Sequence, residues 1–223
     1  MARLLFVFLL LWACAVSTSA QSYYGSFRSH KAATGGTPKS ARDYVDASNE
    51  DHEEKTDGTA SGSVGDITSS DLELGNDGSV AQNFGVYFDS LNIAAGATID
   101  SAFIQFTVDN TSISDPLVVD IYAQEGSTPA VFAEVTNNIL NRDRTETKVT
   151  WTLTGGTWSP VGNAGPDQRT PNLASIIQEA VDNGSYSQGD PIVILFWNTD
   201  GGERECESFD GTAAPWIDVY WKE

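Results

Sequence analysis

The stretch "PIVILFWN", residues 191–198, decides the fold class. It is apolar at alternate and intervening positions alike, so both of its faces must be covered, as in a central strand of a sheet buried on two sides. Outward from it, other segments show a strict period of two. "PWIDVYW" alternates at the end of the chain. "TKVTWTL" sets Val149, Trp151 and Leu153 against Lys148, Thr150 and Thr152. "LVVDIYAQ" sets Leu117, Val119, Ile121 and Ala123 against Val118, Asp120 and Tyr122. "DSAFIQFTVD" sets Ala102, Ile104, Phe106 and Val108 against Phe103, Gln105 and Thr107, and "QNFGVYFDS" sets Phe84, Val86 and Phe88 against Gly85 and Tyr87. Gly, Asn, Asp, Ser or Pro bound each run, which is the signature of strands and turns.

One segment has another period. In "TPNLASIIQEAVDNG", Leu173, Ile176, Ile177, Ala180 and Val181 recur at helical spacing. Thr170 is a candidate N-cap, Pro171 suits a first turn and Gly184 a stop, which predicts a helix over 171–183. The expected fold is all-β: a single antiparallel β-sandwich, jelly-roll-like, with one short docked helix.

The chain opens with "MARLLFVFLLLWACAVSTSA": one cation at Arg3, an apolar run, then small residues. This predicts a secretory signal peptide over 1–20. A lipidated Cys14 is the alternative, and the bulky Trp12 speaks against it. Residues 21–66 are rich in Gly, Ser, Thr and charge with almost no apolar periodicity, which predicts a disordered polar and acidic tail. The sandwich is then expected over 67–223.

The formal net charge is −19, which argues against nucleic acid as a partner. No later segment is long and apolar enough to predict membrane insertion. Cations, basic partners or neutral glycans are the expected company. His30 and His52 fall in the expected tail, so a histidine-dependent nucleophile or a zinc site is not expected in the sandwich. A carboxylate pair of the glycosidase kind is compatible with the composition, but no spacing selects one.

Calcium takes six to eight oxygen ligands. "SSDLELGNDG" places Asp71 and Glu73 opposite Leu72 and Leu74 on an opening strand, and "ECESFDG" places Glu207 and Asp210 before the closing one. If opening and closing strands are neighbours, Asp71, Glu73, Glu207 and Asp210 converge on one ion; solvated surface acids are the alternative. Tyr122, Trp197, Trp216 and Tyr220 fall opposite the core pattern of their strands, and Trp158 lies in a loop-like stretch. All five are candidate platforms for sugar rings, with core packing as the alternative. Asn110 and Asn183 are in glycosylation sequons. Cys206 is read either as a small buried apolar residue or as a thiol that links two chains into a disulfide-bonded dimer.

"SSDLELGNDG", "GATIDSAFIQFTVD", "VGNAGPDQRTPNLASIIQEAV" and "RECESFDGTAAPWIDVYW" together resemble the secreted jelly-roll modules of the DNRLRE and carbohydrate-binding-module type. The resemblance spans Ile67 to Trp221 and departs at Cys206, where a small residue such as Ala is expected. It implies a secreted module that binds polysaccharide or matrix glycan. It also implies a structural calcium at Glu73 and Asp210, helped by Asp71 or Glu207. The favoured expectation is a non-catalytic extracellular carbohydrate- or matrix-binding module. An acidic, adhesive, calcium-binding matrix protein is the second reading and a carboxylate-based polysaccharide hydrolase the third.

Overall fold

A computed structural model describes residues 36–59 and 67–223. The expected signal peptide, Cys14, His30 and the segments 21–35 and 60–66 lie outside the described residues.

Among the described residues, eleven strands build two antiparallel sheets. They are β1 (Pro38–Tyr44), β2 (Asp51–Lys55), β3 (Asp71–Asp77), β4 (Val80–Phe88), β5 (Thr98–Gln105), β6 (Val108–Ser114), β7 (Leu117–Ala123), β8 (Val149–Leu153), β9 (Ile192–Asp200), β10 (Glu203–Glu207) and β11 (Trp216–Lys222). The smaller sheet has the order β1-β11-β5, and the larger runs β6-β10-β3-β4-β9-β7-β8, with β2 also paired to β4. One helix, α1 (Ala174–Asp182), packs on the structure. The described residues form an antiparallel β-sandwich with a single docked α-helix.

The core lies between the sheets. Ile104, Ile217 and Val219 from the smaller sheet meet Phe84, Val86, Ile194 and Phe196 from the larger, and Ile176 and Ile177 of α1 join them. Phe84 stacks on Phe196 at 4.2 Å, and Phe106 meets both rings edge-on. Phe106 and Thr107 mark the corner where the chain leaves the smaller sheet at the end of β5 and enters the larger one as β6. "DSAFIQFTVD" is therefore one alternating run shared between two sheets.

β9 is central, between β4 and β7. Its inward residues Ile192, Ile194 and Phe196 belong to the main core. Its outward Val193 and Leu195 lie under a second apolar cluster made with Tyr87, Phe132 and Ile139. The loop between β7 and β8 supplies the last two, and so covers the outer face of the larger sheet.

Three expectations are corrected. The tail over 21–66 does not extend through 36–59, where β1 pairs along the whole of β11 and β2 pairs with β4. Asp51, His52, Glu53 and Glu54 of β2 are at most 2 % exposed. They escape an apolar-pattern search because their carboxylates are matched to backbone amides: Phe209 N–H donates to Asp51, Glu73 N–H to Glu53 and Ile139 N–H to Glu54. His52 is consequently a residue of the sandwich, its ring 5.9 Å from that of Phe132.

The helix begins later than residue 171. Residues 168–173 instead run beside β5: Phe106 N–H donates to Gln168 O, Thr170 N–H to Ile104 O, and Leu173 N–H to Ala102 O. Thr170 accepts Ile104 N–H through its hydroxyl rather than capping a helix. Pairing with an otherwise open strand edge wins over the helix's first turn. The Asn172 side-chain oxygen, Oδ1, receives Ala174 N–H at the helix start and Ala102 N–H on β5.

The third correction concerns Cys206. It is fully buried, its thiol lies 3.5 Å from Leu72 O, and burial pushes its pKa well up. Of the two readings of Cys206 the small buried residue is the one this fold bears out; a thiol sealed in the core cannot meet a second chain, so a disulfide-linked dimer through Cys206 is not compatible with it.

Gly85 shows how tightly the covering loop is seated. A Cβ at this position would fall 2.8 Å from Phe132 Cε1 and closer still to Cζ. The Phe132 ring is also held by Arg142, whose guanidinium lies 4.1 Å from its centroid. Gly85→Ala is expected to lower unfolding free energy by about 1–3 kcal/mol, the usual range for overpacking. The urea midpoint measures it; an unchanged midpoint means the loop rides loosely on the sheet.

Candidate cation site and aromatic faces

β3 and β10 lie side by side, with Glu205 opposite Glu73, Cys206 opposite Leu72 and Glu207 opposite Asp71. The two acidic segments singled out in the sequence thus adjoin. They are not the first and last strands, however: β1 and β11 hold those places, in the other sheet. On its far side β10 pairs with β6, where Glu205 faces Asn110 and the register shifts before Cys206.

This register gathers three half-buried carboxylates. Asp71, Asp109 and Glu205 each offer an oxygen, and the three oxygens lie within 4.8 Å of one another. Two oxygens on opposite sides of a calcium ion, each about 2.4 Å from it, are separated by roughly that distance. The donor set is all oxygen, which fits a hard cation such as calcium rather than zinc or copper. Desolvation raises the pKa of Asp109, with the Glu207 and Asp71 charges adding to it. Desolvation also raises Glu205, with Asn110 hydrogen bonding opposing and Glu73 and Asp71 adding to the rise. Protons therefore compete with a cation for these oxygens.

Of the four metal candidates in the sequence, only Asp71 joins this triad. Ser69 Oγ donates to its Oδ1 at 2.6 Å. Glu73 is engaged with the fully buried Glu53; desolvation raises both carboxyls, and the hydrogen bond between them raises Glu53 and restrains Glu73. Glu207 closes its own turn, accepting Thr212 N–H and Thr212 Oγ1–H at 2.6 Å each. Asp210 is exposed and accepts a hydrogen bond from Ser48 Oγ at 3.1 Å. Asp109 and Glu205 escaped sequence reading because neither is near Asp71 in the chain. The alternation of Glu203, Glu205 and Glu207 with Arg204 and Cys206 was the available signal for Glu205.

The five aromatic candidates separate by cover. Trp158 is buried, not a loop-borne platform: it packs near Trp151, and its indole N–H donates to Glu205 O at 2.7 Å. That bond pins β10 beside the acidic triad. Tyr122 and Trp197 share one cation, with the Arg144 guanidinium 4.9 Å and 3.8 Å from their ring centroids. Trp216 and Tyr220 lie on the outer face of the smaller sheet. Tyr220 is 46 % exposed, and Tyr44, opposite Trp216 on β1, is 49 % exposed.

The two sequons differ in setting. Asn110 sits in β6 with its Oδ1 accepting Ser112 N–H. Asn183 ends α1, and its Oδ1 accepts both the N–H and the hydroxyl of Ser185 within the sequon.

No protein-family model matches the sequence, and no curated protein matches it. Among solved structures, a chain from turnip yellow mosaic virus is similar at 9% identity and a TM-score of 0.28, covering 84% of this chain and 95% of that one. Among the described residues, no helix is long and apolar enough to cross a membrane.

Elsewhere, at the start of β2, two neighbouring acids have displaced titrations. Asp51 is pushed up to about 7 and Glu50 to about 7, desolvation being the largest cause in each. A carboxyl whose folded pKa exceeds its unfolded one holds its proton more tightly in the folded state. The stability it contributes is complete below about pH 4, the unfolded value. It declines as pH rises and is lost once pH has passed through the folded value. In chelator, the urea midpoint is expected to fall between about pH 4 and the folded value near 7. Asp51→Asn, which keeps an oxygen for Phe209 N–H, should flatten that slope; an identical slope removes Asp51 from the account.

Proposed function

We propose that this protein is a non-catalytic extracellular module that binds carbohydrate or matrix and is stiffened by a divalent cation, calcium by its chemistry, at Asp71, Asp109 and Glu205. The observation that carries the cation half of the reading is the oxygen triad within 4.8 Å, drawn from three strands. A cation there would join β3, β6 and β10 at the edge of the larger sheet. It would also relieve the repulsion among carboxylates in a chain of net charge −19. The secreted setting rests on the signal-like first twenty residues. The carbohydrate half rests on rings that reach the surface beside polar side chains.

A ligand that binds only the folded state stabilises it by about 2.7 kcal/mol at a hundredfold excess over its Kd. Calorimetric scans with calcium and with chelator should therefore differ by several degrees. Asp71→Asn should abolish the difference while leaving the chelator scan nearly unchanged. Identical scans with calcium and chelator would sink the cation site. A difference that persists in Asp71→Asn would place the ion elsewhere.

A further inference from the structure

The two sheets treat their outer faces differently. The larger sheet's outer face is covered by the β7–β8 loop, through Phe132 and Ile139. The smaller sheet's outer face carries Tyr44 and Arg42 on β1, Trp216, Asp218 and Tyr220 on β11, and Phe103 on β5. The strand register places these in one patch: Tyr44 opposite Trp216, Arg42 opposite Asp218, and Asp218 opposite Phe103.

We infer that this patch is the glycan-facing surface, and that its ligand is a neutral, extended polysaccharide lying along β11. The inference rests on the carbohydrate reading above and names the face and the ligand class. Tyr44 and Trp216 have centroids 6.1 Å apart with planes inclined at 37°, which makes a shallow continuous platform. Arg42 lies over the half-buried Trp216 ring at 5.4 Å from its centroid, a longer approach than the 3.8 Å of Arg144 on Trp197, while Tyr44 and Tyr220 stay exposed. Trp216 and Tyr220 are four residues apart on one strand face, about 13 Å at roughly 3.3 Å per residue, a span suited to a short run of linked pyranoses. The faces of such rings are electron-rich and attract the slightly positive C–H faces of sugars.

Charge then selects among polysaccharides. Arg42 is spent in a two-pronged bond to Asp218, at 2.7 and 2.8 Å, and Lys222 is bonded to Asp100 at 2.6 Å. Arg169 lies on the Phe103 ring at 4.1 Å. In a chain of net charge −19, this patch is close to neutral, and its ion pairs are satisfied internally. An anionic chain finds few uncommitted cations here, and a cationic one finds the acids already engaged. A neutral glycan needs neither, and the hydroxyls of Ser40 and Ser101, which flank Tyr220 in the strand register, can bond its own.

The test is electrophoresis of the full chain in native gels containing hydroxyethylcellulose, xyloglucan or galactomannan, with polygalacturonate as the anionic comparison. The expected result is retardation in at least one neutral gel, lost in Trp216→Ala and in Tyr220→Ala and kept in Tyr122→Ala. Tyr220 is exposed enough that its variant keeps the fold, and the far-ultraviolet spectrum and melting point of each variant check this. Retardation that survives both face variants overturns this surface and leaves the carbohydrate reading standing. Wild-type protein that runs unretarded in every gel overturns both. Retardation by polygalacturonate alone overturns the neutral ligand. A dimer in sedimentation that Tyr220→Ala dissolves assigns the patch to self-association and overturns the inference.

Discussion

The fold depends on four consecutive polar side chains that ought to be in water. β2 reads Asp-His-Glu-Glu, and all four are buried. Burying an ionised carboxylate without partners costs several kcal/mol. Here the carboxylates accept main-chain N–H groups that would otherwise be orphaned. Asp51 takes Phe209 in the turn before β11, and Glu53 takes Glu73 on the edge of β3. Glu54 takes Ile139, with Leu140 and Asn137, in the covering loop. One short strand thus fastens three pieces of chain that are far apart in sequence, and it accepts displaced proton equilibria in return.

That fastening shapes the surface. Glu54 holds the turn of the β7–β8 loop, Phe132 from the same loop lies on Gly85, and Arg142 closes over it with bonds to Ala130 O, Val131 O and Asn138 O. The outer face of the larger sheet is thereby closed and acquires a small core of its own. No such loop lies on Tyr44, Trp216 and Tyr220 among the described residues. The acidic triad has a different origin. It follows from the register of β6, β10 and β3, with Trp158 fixing β10 from the core side through the Glu205 carbonyl.

Much of the architecture was legible because apolar alternation reports burial on one face. β4, β7, β8 and β11 follow it, and the doubly apolar β9 anticipated the second cluster over Val193 and Leu195. β1 and β2 were illegible for the converse reason. β1 is an edge strand whose outward side chains are polar, and β2 is buried through hydrogen bonds rather than hydrophobicity. Asp71 could be singled out from its own strand. Asp109 and Glu205 could not, because cross-strand register is a property of the assembled sheet. The aromatic residues show the same limit: alternation could not reveal that Arg144 covers Trp197 or that the Trp158 loop folds inward.

Cys206 has a consequence beyond packing. It is the one cysteine among the described residues, and it sits in the β3–β10 ladder opposite Leu72 with its sulfur enclosed. The sandwich therefore carries no covalent cross-link of its own, and its cohesion owes nothing to the oxidising power of its surroundings. The described sandwich can thus be unwound and reassembled in reductant with no disulfide of its own to re-form.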